Sequence, residues 1–466
     1  MNIGISILNN VTKNKEVISA TIVGSYTDKK DLDKIGDIDV VIICKKLNKK
    51  LIINLSKNLL KMNKKLKKKI IINSSFGPLK INSRNSLPVH LMIYDINSHI
   101  EHVCASPFTC YDWERSFLNK GLSLKEVFPV NFLQLKDFFK SRRSSKEYLN
   151  DLLKNKISVR SYTFSNNKIK LKKHYIKINS RNKGEFVYHI VNFLVLNLNK
   201  YLINKNIKIN ERNFKKLFLK ITSQDKDLLN QFLDLKRKKE KKSTDYNGNE
   251  IQLGKKFIKK YNNFLKSLKE KQTYIDFIRH AKTNMNKKNI FLGSGSDPNI
   301  VKMRKKKSPK YDLIITSNLK RSKSTAKLFK SKKIISTPLL NEIDYGKIDG
   351  KNIEFLKLNH PKIVKSWKKG IDIKFPNGES TKNVKQRIFK FLNFLRKIRK
   401  KKKILIITHS YFLRVFLGLF LKFKINKVYK LKISHLEKFE FIKNKNLILP
   451  NLERHKMRTF CDQLND

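Results

Sequence analysis

Two regions of the chain alternate short apolar runs with polar turns. "ATIVGSY", "IDVVIIC", "KKIIINS" and "PVHLMIYD" lie within residues 18–44 and 68–95 and are rich in β-branched residues. A second set follows residue 271 and alternates with helical segments: "YIDFIRH", "YDLIITSNL", "KKIISTPLL" and "KILIITHS". Short apolar runs of this kind predict strands, and their alternation with helices predicts an open, largely parallel sheet in the second region.

The middle of the chain has a different pattern. From about residue 124 to 270, segments such as "GEFVYHIVNFLVLNLNKYL" carry apolar residues at three-and-four spacing, which is typical of amphipathic helices. The polar run "LKRKKEKKSTDYNGNE", residues 235–250, predicts an exposed loop. We therefore expect an α/β multidomain protein, because 466 residues suffice for two or three domains. The expected parts are a small α+β domain, a helical domain and an α/β open-sheet domain, at residues 1–110, 111–270 and 271–466.

The charge of the chain is strongly positive. With 105 Lys and Arg against 37 Asp and Glu, the formal net charge is +68, which normally points to nucleic acid or an anionic membrane as a partner. Only 17 of the basic residues are arginine, however, and the lysines are spread along the whole chain beside abundant Ile and Asn. This distribution favours a compositional bias over a selected binding patch, so nucleic acid is the less favoured partner.

The sequence carries no targeting signal that we recognise. The N-terminus "MNIGISILNNVTKNKEV" lacks a basic segment followed by a long apolar one, which argues against secretion. No run reaches about 18 uninterrupted apolar residues, and "YFLRVFLGLFLKF" is broken by Arg414. The cysteines form no C-x-x-C pair, so we expect free thiols and no zinc site. Together these features predict a cytoplasmic protein without a membrane partner.

Side chains suited to phosphate chemistry follow three predicted strands of the C-terminal region. Arg279 and His280 end the first strand, Arg321 follows the second in "TSNLKRSKSTA", and His409 ends the last in "THS". Functional residues collect at the carboxyl ends of strands in an open α/β sheet, so these groups are expected to converge. Arginine matches phosphate oxygens through its planar donors, and a histidine among such donors can attack phosphorus. Glu342 in "LLNEIDYGKIDG" is the candidate acid for the leaving oxygen.

Five segments in this order resemble the histidine phosphatase superfamily, the phosphoglycerate-mutase-like enzymes, over residues 274–466. "RHAKTNMN" resembles the signature RHG-x-[ST]-x-x-N, and "SNLKRSKSTA" resembles the S-x-L-x-R-[AS]-x-x-TA element. "LLNEIDYGKIDG" is similar to the acid-bearing segment L-x-E-x-x-x-G-x-x-[DE]-G. "FPNGES" and "IITHSYFLRVFL" are similar to the later PGGES and THG-type segments.

The resemblance implies a role for each candidate residue. His280 is the nucleophile that forms a phosphohistidine, and Glu342 is the proton donor. Thr283 and Asn286 lie at the rim of the substrate site. The groups that hold the phosphoryl group are Arg279, Arg321 and His409. The implied reaction is hydrolysis of a small phosphorylated metabolite, such as a sugar or nucleotide phosphate, without a cofactor in this domain; phosphoryl transfer as a mutase is the other activity of the family.

Two positions depart from the family pattern. Ala281 stands where glycine usually follows the first histidine, and Ser410 stands where glycine usually follows the second. Neither change removes a chemical group, so we expect activity to be retained. We also expect the Cβ of Ala281 to crowd the turn that directs His280.

The N-terminal region carries a second group of candidate site residues. In "IVGSYTDKKDLDKIGDIDVVII", a Gly24–Ser25 turn follows one strand, and Asp37 and Asp39 fall on the next. Alternation along a strand puts both aspartates on one face, where a divalent cation offsets their repulsion. Mg²⁺ is commonly held by one or two carboxylates together with nucleotide phosphates. A glycine also permits backbone N–H groups to approach a phosphate closely.

This pattern resembles hG[GS]…Dh[DE]h of the polymerase-β-type nucleotidyltransferases, over roughly residues 15–100. The resemblance implies Mg²⁺ at the two aspartates and transfer of a nucleoside monophosphate from a nucleoside triphosphate to an acceptor. The third carboxylate of that family falls on His90, while Asp95, five residues on, faces the other way on an ideal strand. Without a third carboxylate the acceptor loses its base, so a module that only binds a nucleotide stays open.

These features together predict a two-module enzyme. A histidine phosphatase is joined through helices to an Mg²⁺-dependent nucleotidyltransferase-like module, and both act on small phosphorylated substrates. One alternative is an RNA-end or tRNA-processing enzyme, suggested by the transferase resemblance and the charge. The other is a phosphatase whose N-terminal module senses a nucleotide without catalysis.

Overall fold

The computed structural model divides the chain into two compact units, Met1–Ser267 and Leu268–Asp466. The residues that the structure describes are 2–29, 37–66, 69–73, 86–116, 118–165, 168–240, 246, 248–288, 290–304, 309–369, 371–399, 401–444 and 447–465. All four cysteines lie within these ranges and are free thiols, as expected: Cys44, Cys104, Cys110 and Cys461.

The first unit contains a mixed five-stranded sheet. Its strands are β1 (Val17–Val23), β2 (Ile38–Cys44), β3 (Lys69–Asn73), β4 (Ser86–Asp95) and β5 (Asn119–Gly121). They are ordered β3-β4-β2-β1-β5, with β2 and β3 parallel to β4, and β1 antiparallel to both β2 and β5. The four apolar runs predicted to be strands form β1 to β4. The central strand β2 is buried along nearly its whole length, because an internal strand covered on both faces needs a continuous apolar run.

Helices surround this sheet and make up most of the region that follows it. They are α1 (Ile3–Val11), α2 (Tyr26–Lys29), α3 (Lys49–Lys61), α4 (Ile96–Ala105), α5 (Pro107–Trp113), α6 (Leu124–Val127), α7 (Asp137–Lys140), α8 (Ser145–Leu153), α9 (Lys183–Ile203), α10 (Glu211–Ile221), α11 (Lys226–Glu240) and α12 (Glu250–Glu270), with a 3₁₀ turn at Met62–Lys65. The apolar faces of α1 and α3 join the sheet in one core, in which Val11, Leu55 and Ile42 are fully buried. Burial of each such side chain contributes about 1.5–3 kcal/mol to the free energy of unfolding.

The middle region differs from the expected all-helical pattern in two places. An antiparallel hairpin, β6 (Lys156–Ser165) with β7 (Lys168–Lys177), lies inside it; alternating "KIKLKKHYIK" has the period of a strand. The loop expected at residues 235–250 begins later, because α11 continues to Glu240. Lysine and glutamate are good helix formers, and pairs such as Lys236 with Glu240 at 3.9 Å support the last turn. Residues 241–245 and 247 lie outside the described part.

The helix α9 is a long apolar segment of the first unit. Among the described residues it is the one helix whose length and composition would allow it to cross a membrane, and half of its most apolar window is buried inside the unit. The buried side chains include Phe186, Val191 and Leu198. They pack as the residues of a core helix do.

The second unit is built on a six-stranded sheet. Its strands are β8 (Thr273–Arg279), β9 (Leu313–Thr316), β10 (Ile334–Ser336), β11 (Lys403–Thr408), β12 (Lys438–Asn444) and β13 (Leu447–Pro450), in the order β10-β9-β11-β8-β12-β13. The first four are mutually parallel, and β12 is antiparallel to β8 and to β13. The predicted α/β open sheet is therefore confirmed. Its antiparallel edge pair was not anticipated.

Helices cover both faces of this second sheet. They are α13 (Lys320–Ala326), α14 (Ile353–Asn359), α15 (Pro361–Lys368), α16 (Thr381–Lys397), α17 (Ser410–Leu421) and α18 (Arg454–Asn465), with 3₁₀ turns at Asn284–Lys288, Pro338–Leu340, Gly346–Ile348 and Ile425–Lys430. On one face Ala326 of α13 packs with Leu405 and Ile407. On the other face the ring centroids of Phe277 and Phe416 of α17 are 4.2 Å apart. Both faces of the sheet are apolar and must be covered by helices. The helices leave the ends of the strands uncovered.

Candidate active site

The parallel strands of the second unit bring two histidines together. His280 follows β8 directly, and its backbone N–H donates to the carbonyl oxygen of Thr408, the last residue of β11, at 2.9 Å. His409 follows β11, which pairs in register with β8. The two imidazole ring centroids are 5.0 Å apart. The carboxyl edge of the sheet thus brings together the two histidines that the sequence placed at strand ends.

The environment of His280 fixes its tautomer. Its Nδ1 lies 2.7 Å from the carbonyl oxygen of Ala281, and a carbonyl oxygen can only accept. We therefore assign the proton to Nδ1, which leaves the lone pair on Nε2. Burial lowers the pKa of His280 well below its usual value, and the nearby guanidinium groups of Arg321 and Arg279 lower it further. Near neutral pH the ring is uncharged, with a nucleophilic Nε2.

His409 is held by two side chains. The Nε of Arg321 donates to His409 Nδ1 at 3.2 Å, so the proton of the ring lies on Nε2, which donates to Ser317 Oγ at 2.7 Å. Burial, and then the charge of Arg321, hold the pKa of His409 well below its usual value. The ring is therefore neutral and fixed in orientation. Ser317 was not among the predicted site residues, although it is the first serine of the "SNLKRSKSTA" segment.

Arg321 is fully buried and anchors a neighbouring loop. Its Nη1 donates to the carbonyl oxygen of Ser296 at 2.5 Å and to Asp297 Oδ1 at 3.4 Å, and its Nη2 donates to the carbonyl oxygen of Gly293 at 2.9 Å. The N–H groups of this side chain are thus engaged by protein acceptors. The phosphoryl contact of Arg321 stays a prediction, because phosphate would have to replace one of these partners.

A carboxylate that sequence analysis gave no role shapes the same loop. Asp349 accepts the backbone N–H of Gly293 at 2.9 Å, of Gly295 at 2.8 Å and of Ser296 at 3.0 Å. These bonds orient the carbonyl groups that Arg321 contacts. Asp349 occupies the [DE] position of the acid-bearing segment, so the motif contained the signal that could have identified it.

Arg279 offers a buried donor beside His280. Its Nη1 donates to the carbonyl oxygen of Ile433 at 2.8 Å, whereas its Nε is buried and has no hydrogen-bond partner among the described residues. Burial lowers the pKa of Arg279 to about 10, with the carboxylate of Glu342 acting in the opposite direction. A buried donor without an acceptor costs about 1–3 kcal/mol. A phosphate oxygen in this position would remove that cost.

Glu342 is buried at the start of the helix that follows the second histidine. Its Oε1 accepts the backbone N–H groups of Tyr411 at 3.1 Å and Phe412 at 3.2 Å, in the first turn of α17, and that of Ile343 at 3.1 Å. Unsatisfied N–H groups at a helix N-terminus bind a carboxyl group well. The candidate proton donor therefore has a fixed position at the start of α17, next to the residues that follow His409.

The segment "FPNGES" supports the loop that carries Glu342. Within it, Glu379 forms a two-pronged pair with Arg387 of α16, in which both nitrogen–oxygen distances are 2.8 Å. Arg387 also donates to the carbonyl oxygen of Asn341 at 2.9 Å. Gly346 has a φ of +54°, and a Cβ there would overlap the carbonyl oxygen of Pro376. These contacts tie the two segments together.

The predicted rim residues are arranged differently from what sequence indicated. Thr283 is fully buried, and its N–H and hydroxyl both donate to Asn286 Oδ1 at 2.9 Å. The same oxygen lies 3.1 Å from Nε2 of His435, whose ring centroid is 5.6 Å from that of His280. Asn286 and His435 therefore border the site. Thr283 is buried and orients the side chain of Asn286 through its two hydrogen bonds. No motif marks His435, which lies far along the chain from the other members.

The crowding expected at Ala281 is not accompanied by backbone strain. Ala281 does not have a positive φ, so a side chain is accommodated without backbone strain. Its N–H donates to Thr325 Oγ1 at 2.9 Å, and this contact fixes the turn after His280. Ser410 begins α17, where any residue with ordinary helical geometry fits.

In the first unit, the glycine turn lies against one of the two aspartates. Gly24 follows β1 with a φ of +78°, next to Ser25, which is exposed. A Cβ on Gly24 would lie 2.6 Å from Asp39 Oδ2. On the neighbouring strand, Asp39 Oδ1 lies 3.0 Å from His90 Nδ1. The structure thus brings Gly24, Asp39 and His90 together, and Asp37 lies buried just before β2.

The side chains near Asp39 could hold Mg²⁺ only if a bound ligand supplied further oxygen atoms. No group of three or more His, Cys, Asp or Glu side chains in the described ranges is arranged to hold a metal ion. Asp95 cannot supply a third carboxylate, because it caps α4 by accepting the N–H of Ser98 at 2.8 Å. Two carboxylates suit Mg²⁺ when nucleotide phosphates complete its coordination. Binding of Mg²⁺ by Asp37 and Asp39 together with a nucleotide stays a prediction.

A cavity of about 680 Å³ opens beside Gly24. The rings of Tyr188 and Phe232 on its wall are stacked, with centroids 5.6 Å apart and an angle of 3° between their planes. Its charged lining residues are four basic and two acidic side chains: Arg115, Lys200, Lys208, Lys236, Asp112 and Glu211. The cavity wall therefore combines aromatic side chains with an excess of positive charge.

Comparison with known proteins concerns the second unit. Residues 275–443 match the family model for the histidine phosphatase superfamily, branch 1. The 2,3-bisphosphoglycerate-dependent phosphoglycerate mutase of Parvibaculum lavamentivorans is 29% identical over 157 residues, 29% of this chain and 74% of the relative. The mutase of Bartonella henselae is 30% identical over 132 residues, 24% of this chain and 64% of the relative. The chain thus spans about two thirds to three quarters of these relatives.

Solved structures are matched at lower identity. The alpha-ribazole phosphatase of Shigella flexneri is 19% identical, with a TM-score of 0.34, over 39% of this chain and 97% of that one. Mycobacterial glucosyl-3-phosphoglycerate phosphatase is 16% identical, with a TM-score of 0.32, over 36% and 92%. The classification rests on the family model and the curated relatives, together with the five motifs and the paired histidines. Residues 275–443 belong to the histidine phosphatase superfamily.

Proposed function

We propose that the second unit hydrolyses phosphomonoesters through a phosphohistidine on His280. The observation that carries this proposal is the uncharged His280 ring, whose Nδ1 is bonded to the carbonyl oxygen of Ala281 and whose Nε2 keeps its lone pair. The buried Nε of Arg279 lies beside it as a donor for a phosphate oxygen. A nucleophile and a preorganised donor are the main requirements of phosphoryl transfer.

In the first step, His280 Nε2 attacks phosphorus. A nitrogen–phosphorus bond forms while the bond from phosphorus to the ester oxygen breaks. The leaving oxygen takes a proton from the carboxyl group of Glu342, which is held by the N–H groups of Tyr411 and Phe412. Arg279 stabilises the charge that develops on the phosphoryl oxygens.

In the second step, water attacks the phosphohistidine. Glu342, now a carboxylate, takes a proton from this water, so that the proton lost in the first step is restored. The nitrogen–phosphorus bond breaks, inorganic phosphate leaves, and His280 Nε2 regains its lone pair. The neutral His409 ring lies 5.0 Å from that of His280, centroid to centroid, and Arg321 and Ser317 fix its orientation.

Small phosphorylated metabolites are the proposed substrates. The relatives named above are mutases and phosphatases whose names specify phosphoglycerate, ribazole phosphate or glucosyl-phosphoglycerate. We favour hydrolysis over mutase action because a mutase must keep its intermediate from water, and the signature contains no added segment long enough to trap one. This leaves the phosphohistidine open to hydrolysis.

The test is phosphate release by the full-length protein from a panel of sugar, nucleotide and glycerate phosphates. We expect turnover of at least one ester, and its loss in His280→Ala. His455→Ala is the matched control, because His455 is exposed on α18 of the same unit. Rapid quenching at alkaline pH should recover the phosphoryl group on His280. Unchanged turnover in His280→Ala would refute the nucleophile, and isomerisation of phosphoglycerate without phosphate release would favour a mutase.

We further propose that the first unit binds a nucleotide in the cavity beside Gly24. The aromatic side chains on the cavity wall suit contact with a base, and the surplus of basic lining residues suits phosphates. Mg²⁺ held by Asp37 and Asp39 would neutralise phosphate charge. Transfer to an acceptor is the activity that the nucleotidyltransferase resemblance implies, and His90 in place of a carboxylate favours binding without transfer.

Calorimetric titration of the full chain with ATP, GTP, CTP and UTP in the presence of Mg²⁺ tests this second proposal. We expect at least one nucleotide to bind, and Asp39→Asn to weaken that binding tenfold or more. Asp234→Asn is the matched control, because Asp234 is a half-exposed carboxylate on α11 that pairs with Arg237 and Lys238 and has no proposed role in binding. Equal binding by both variants would contradict the proposal. Release of pyrophosphate would show an active transferase.

A further inference from the structure

The loop that precedes β12 holds a third imidazole against the nucleophile. Its anchors are the N–H of Leu436, which donates to the carbonyl oxygen of Arg279 at 3.0 Å, and the bond from Arg279 Nη1 to Ile433. Leu436 has a φ of +60°, a left-handed conformation that is unfavourable for a bulky residue. These constraints hold the ring of the preceding residue, His435, 5.6 Å from that of His280.

The hydrogen bonds of Asn286 determine which nitrogen of His435 carries the proton. The backbone N–H of Thr283 can only donate, so the atom of Asn286 that it contacts is the amide oxygen. That oxygen also lies 3.1 Å from His435 Nε2, which must therefore be the protonated nitrogen. The lone pair of the ring is left on Nδ1, for which no hydrogen bond is found among the described residues.

The charge state of His435 agrees with this assignment. Burial lowers its pKa to about 4, and the positive charges of Arg279 and Lys282 act in the same direction. The ring is therefore neutral near pH 7. The ring therefore has one acceptor atom, Nδ1, and its centroid lies 5.6 Å from that of His280.

An acceptor at this position discriminates among leaving groups. The alcohol part of a phosphoester bound at His280 extends away from phosphorus, toward the residues that border the site. A hydroxyl group there can donate to Nδ1, whereas a carboxylate or a second phosphate would set its lone pairs against that of the nitrogen. An unsubstituted alkyl group offers no donor to this nitrogen.

We propose that His435 is a specificity-determining residue that selects phosphoesters whose alcohol part carries a hydroxyl group next to the esterified carbon. This inference rests on the proposed phosphatase function. The hydroxyl hydrogen bonds to Nδ1 while Nε2 stays bonded to Asn286. The substrate class is accordingly polyol and sugar phosphates.

A pair of substrates that differ by one hydroxyl group tests the inference. We expect the full-length protein to have about tenfold higher kcat/KM for 2-hydroxypropyl phosphate than for propyl phosphate, the effect of one added hydrogen bond. In His435→Ala the ratio of the two kcat/KM values should fall to about one. Equal reduction for both esters, with the ratio preserved, would overturn the inference.

Two further variants separate selection from a structural role. His435→Asn places an amide oxygen near the position of Nδ1, so the preference for the hydroxylated ester should survive. His435→Gln keeps a donor near the position of Nε2 for Asn286 but lacks the acceptor, so the preference should be lost. The reverse result would assign His435 a structural role and overturn the inference.

The same assay distinguishes the failure of this inference from that of the proposed function. Hydrolysis of both esters at equal rates by the unsubstituted protein would overturn the selectivity while leaving the phosphatase intact. Hydrolysis of neither, together with no phosphate release from the metabolite panel, would overturn the phosphatase function and the inference with it.

Discussion

At the scale of single residues, the second unit is organised by the protonation of three histidines. In each case a neighbouring group that can only donate or only accept determines the tautomer: the carbonyl oxygen of Ala281 for His280, Arg321 for His409, and the amide oxygen of Asn286 for His435. The result is a lone pair on His280 Nε2 for the phosphorus and a lone pair on His435 Nδ1 for the leaving group. Neutral rings are required for both roles.

This neutrality predicts the pH dependence of the reaction. The pKa of His280 lies well below its usual value because of burial, Arg321 and Arg279, so the nucleophile is deprotonated at pH values above that lowered pKa. As the pH falls from 7 to 5.5, kcat/KM corrected for ionisation of the substrate should change less than about twofold. A histidine with the usual pKa of about 6.5 would lose roughly 90% of its neutral form over this range. A midpoint near pH 6.5 in the corrected profile would contradict the prediction.

The site residues that could be identified from sequence are those that stand at the carboxyl ends of strands. Arg279, His280 and His409 were predictable because parallel strands align their carboxyl ends, whichever side chains surround them. His435 was not, because it is brought to the site by an irregular loop with a left-handed Leu436. Arg321 was identified as a residue, but its bonds to backbone carbonyl groups depend on a loop whose path sequence does not specify.

At the scale of elements, the helix α4 of the first unit buries two imidazoles. His102 stacks between Tyr94 and Trp113, with ring centroids 5.2 Å from each. Neither ring nitrogen of His102 or of His99 has a hydrogen-bond partner among the described residues. Both rings are thus kept in the core in their neutral form, which makes this helix sensitive to acid.

We expect the first unit to lose stability as the pH falls below 6.5. Burial lowers the pKa of His99 to about 4 in the folded state, whereas in the unfolded chain it is about 6.5. Between these values the unfolded state binds more protons, so stability is present above pH 6.5 and is lost as the pH falls toward 4. The loss from His99 alone is on the order of 2 kcal/mol at pH 5.

Chemical denaturation at pH 7 and pH 5 measures this loss. In His99→Leu the difference in unfolding free energy between the two pH values should shrink by a corresponding amount. His174→Leu is the control, because His174 lies exposed on β7. An unchanged pH dependence in His99→Leu would show that this ring is not the acid-sensitive group.

Helices and strands could be predicted from sequence where the spacing of apolar residues fits only one type of element. The strands β1 to β4 and β8 to β11 were found because a run of β-branched residues is short, apolar and bounded by polar turns. The hairpin β6–β7 was missed because lysines fill its exposed positions and weaken the contrast between its faces. The strand β12 was missed because "KFEFIKN" is equally compatible with a helix end.

At the scale of the whole molecule, the charge of +68 bears on the alternative in which the protein processes RNA ends. Lysines spread over the chain attract any polyanion through release of counterions, without selecting a sequence. The surplus charge alone therefore predicts binding that depends on salt. It does not predict a dedicated RNA site.

We expect RNA affinity to be detectable at low salt and to be lost near physiological ionic strength. Fluorescence anisotropy of a labelled tRNA and of an unrelated single strand, at 50 mM and 200 mM salt, measures both affinities. A decrease of about a thousandfold or more over this range, equal for the two RNAs, is the expected result for contacts to six or more phosphates. Selective tRNA binding at the higher salt would instead support RNA processing.

The division into two compact units, each with its own core, predicts two separate responses to ligands. A ligand stabilises only the cooperative unit that binds it, by about 2.7 kcal/mol at a concentration of 100 times Kd.

Orthovanadate resembles the phosphoryl group during transfer and should raise the melting temperature of one calorimetric transition by about 5–10 °C. His280→Ala should abolish that shift, whereas His455→Ala should retain it. MgATP, or whichever nucleotide binds, should raise the other transition. A vanadate shift that persists in His280→Ala, or that moves both transitions together, would show that the phosphoryl site is not confined to the second unit.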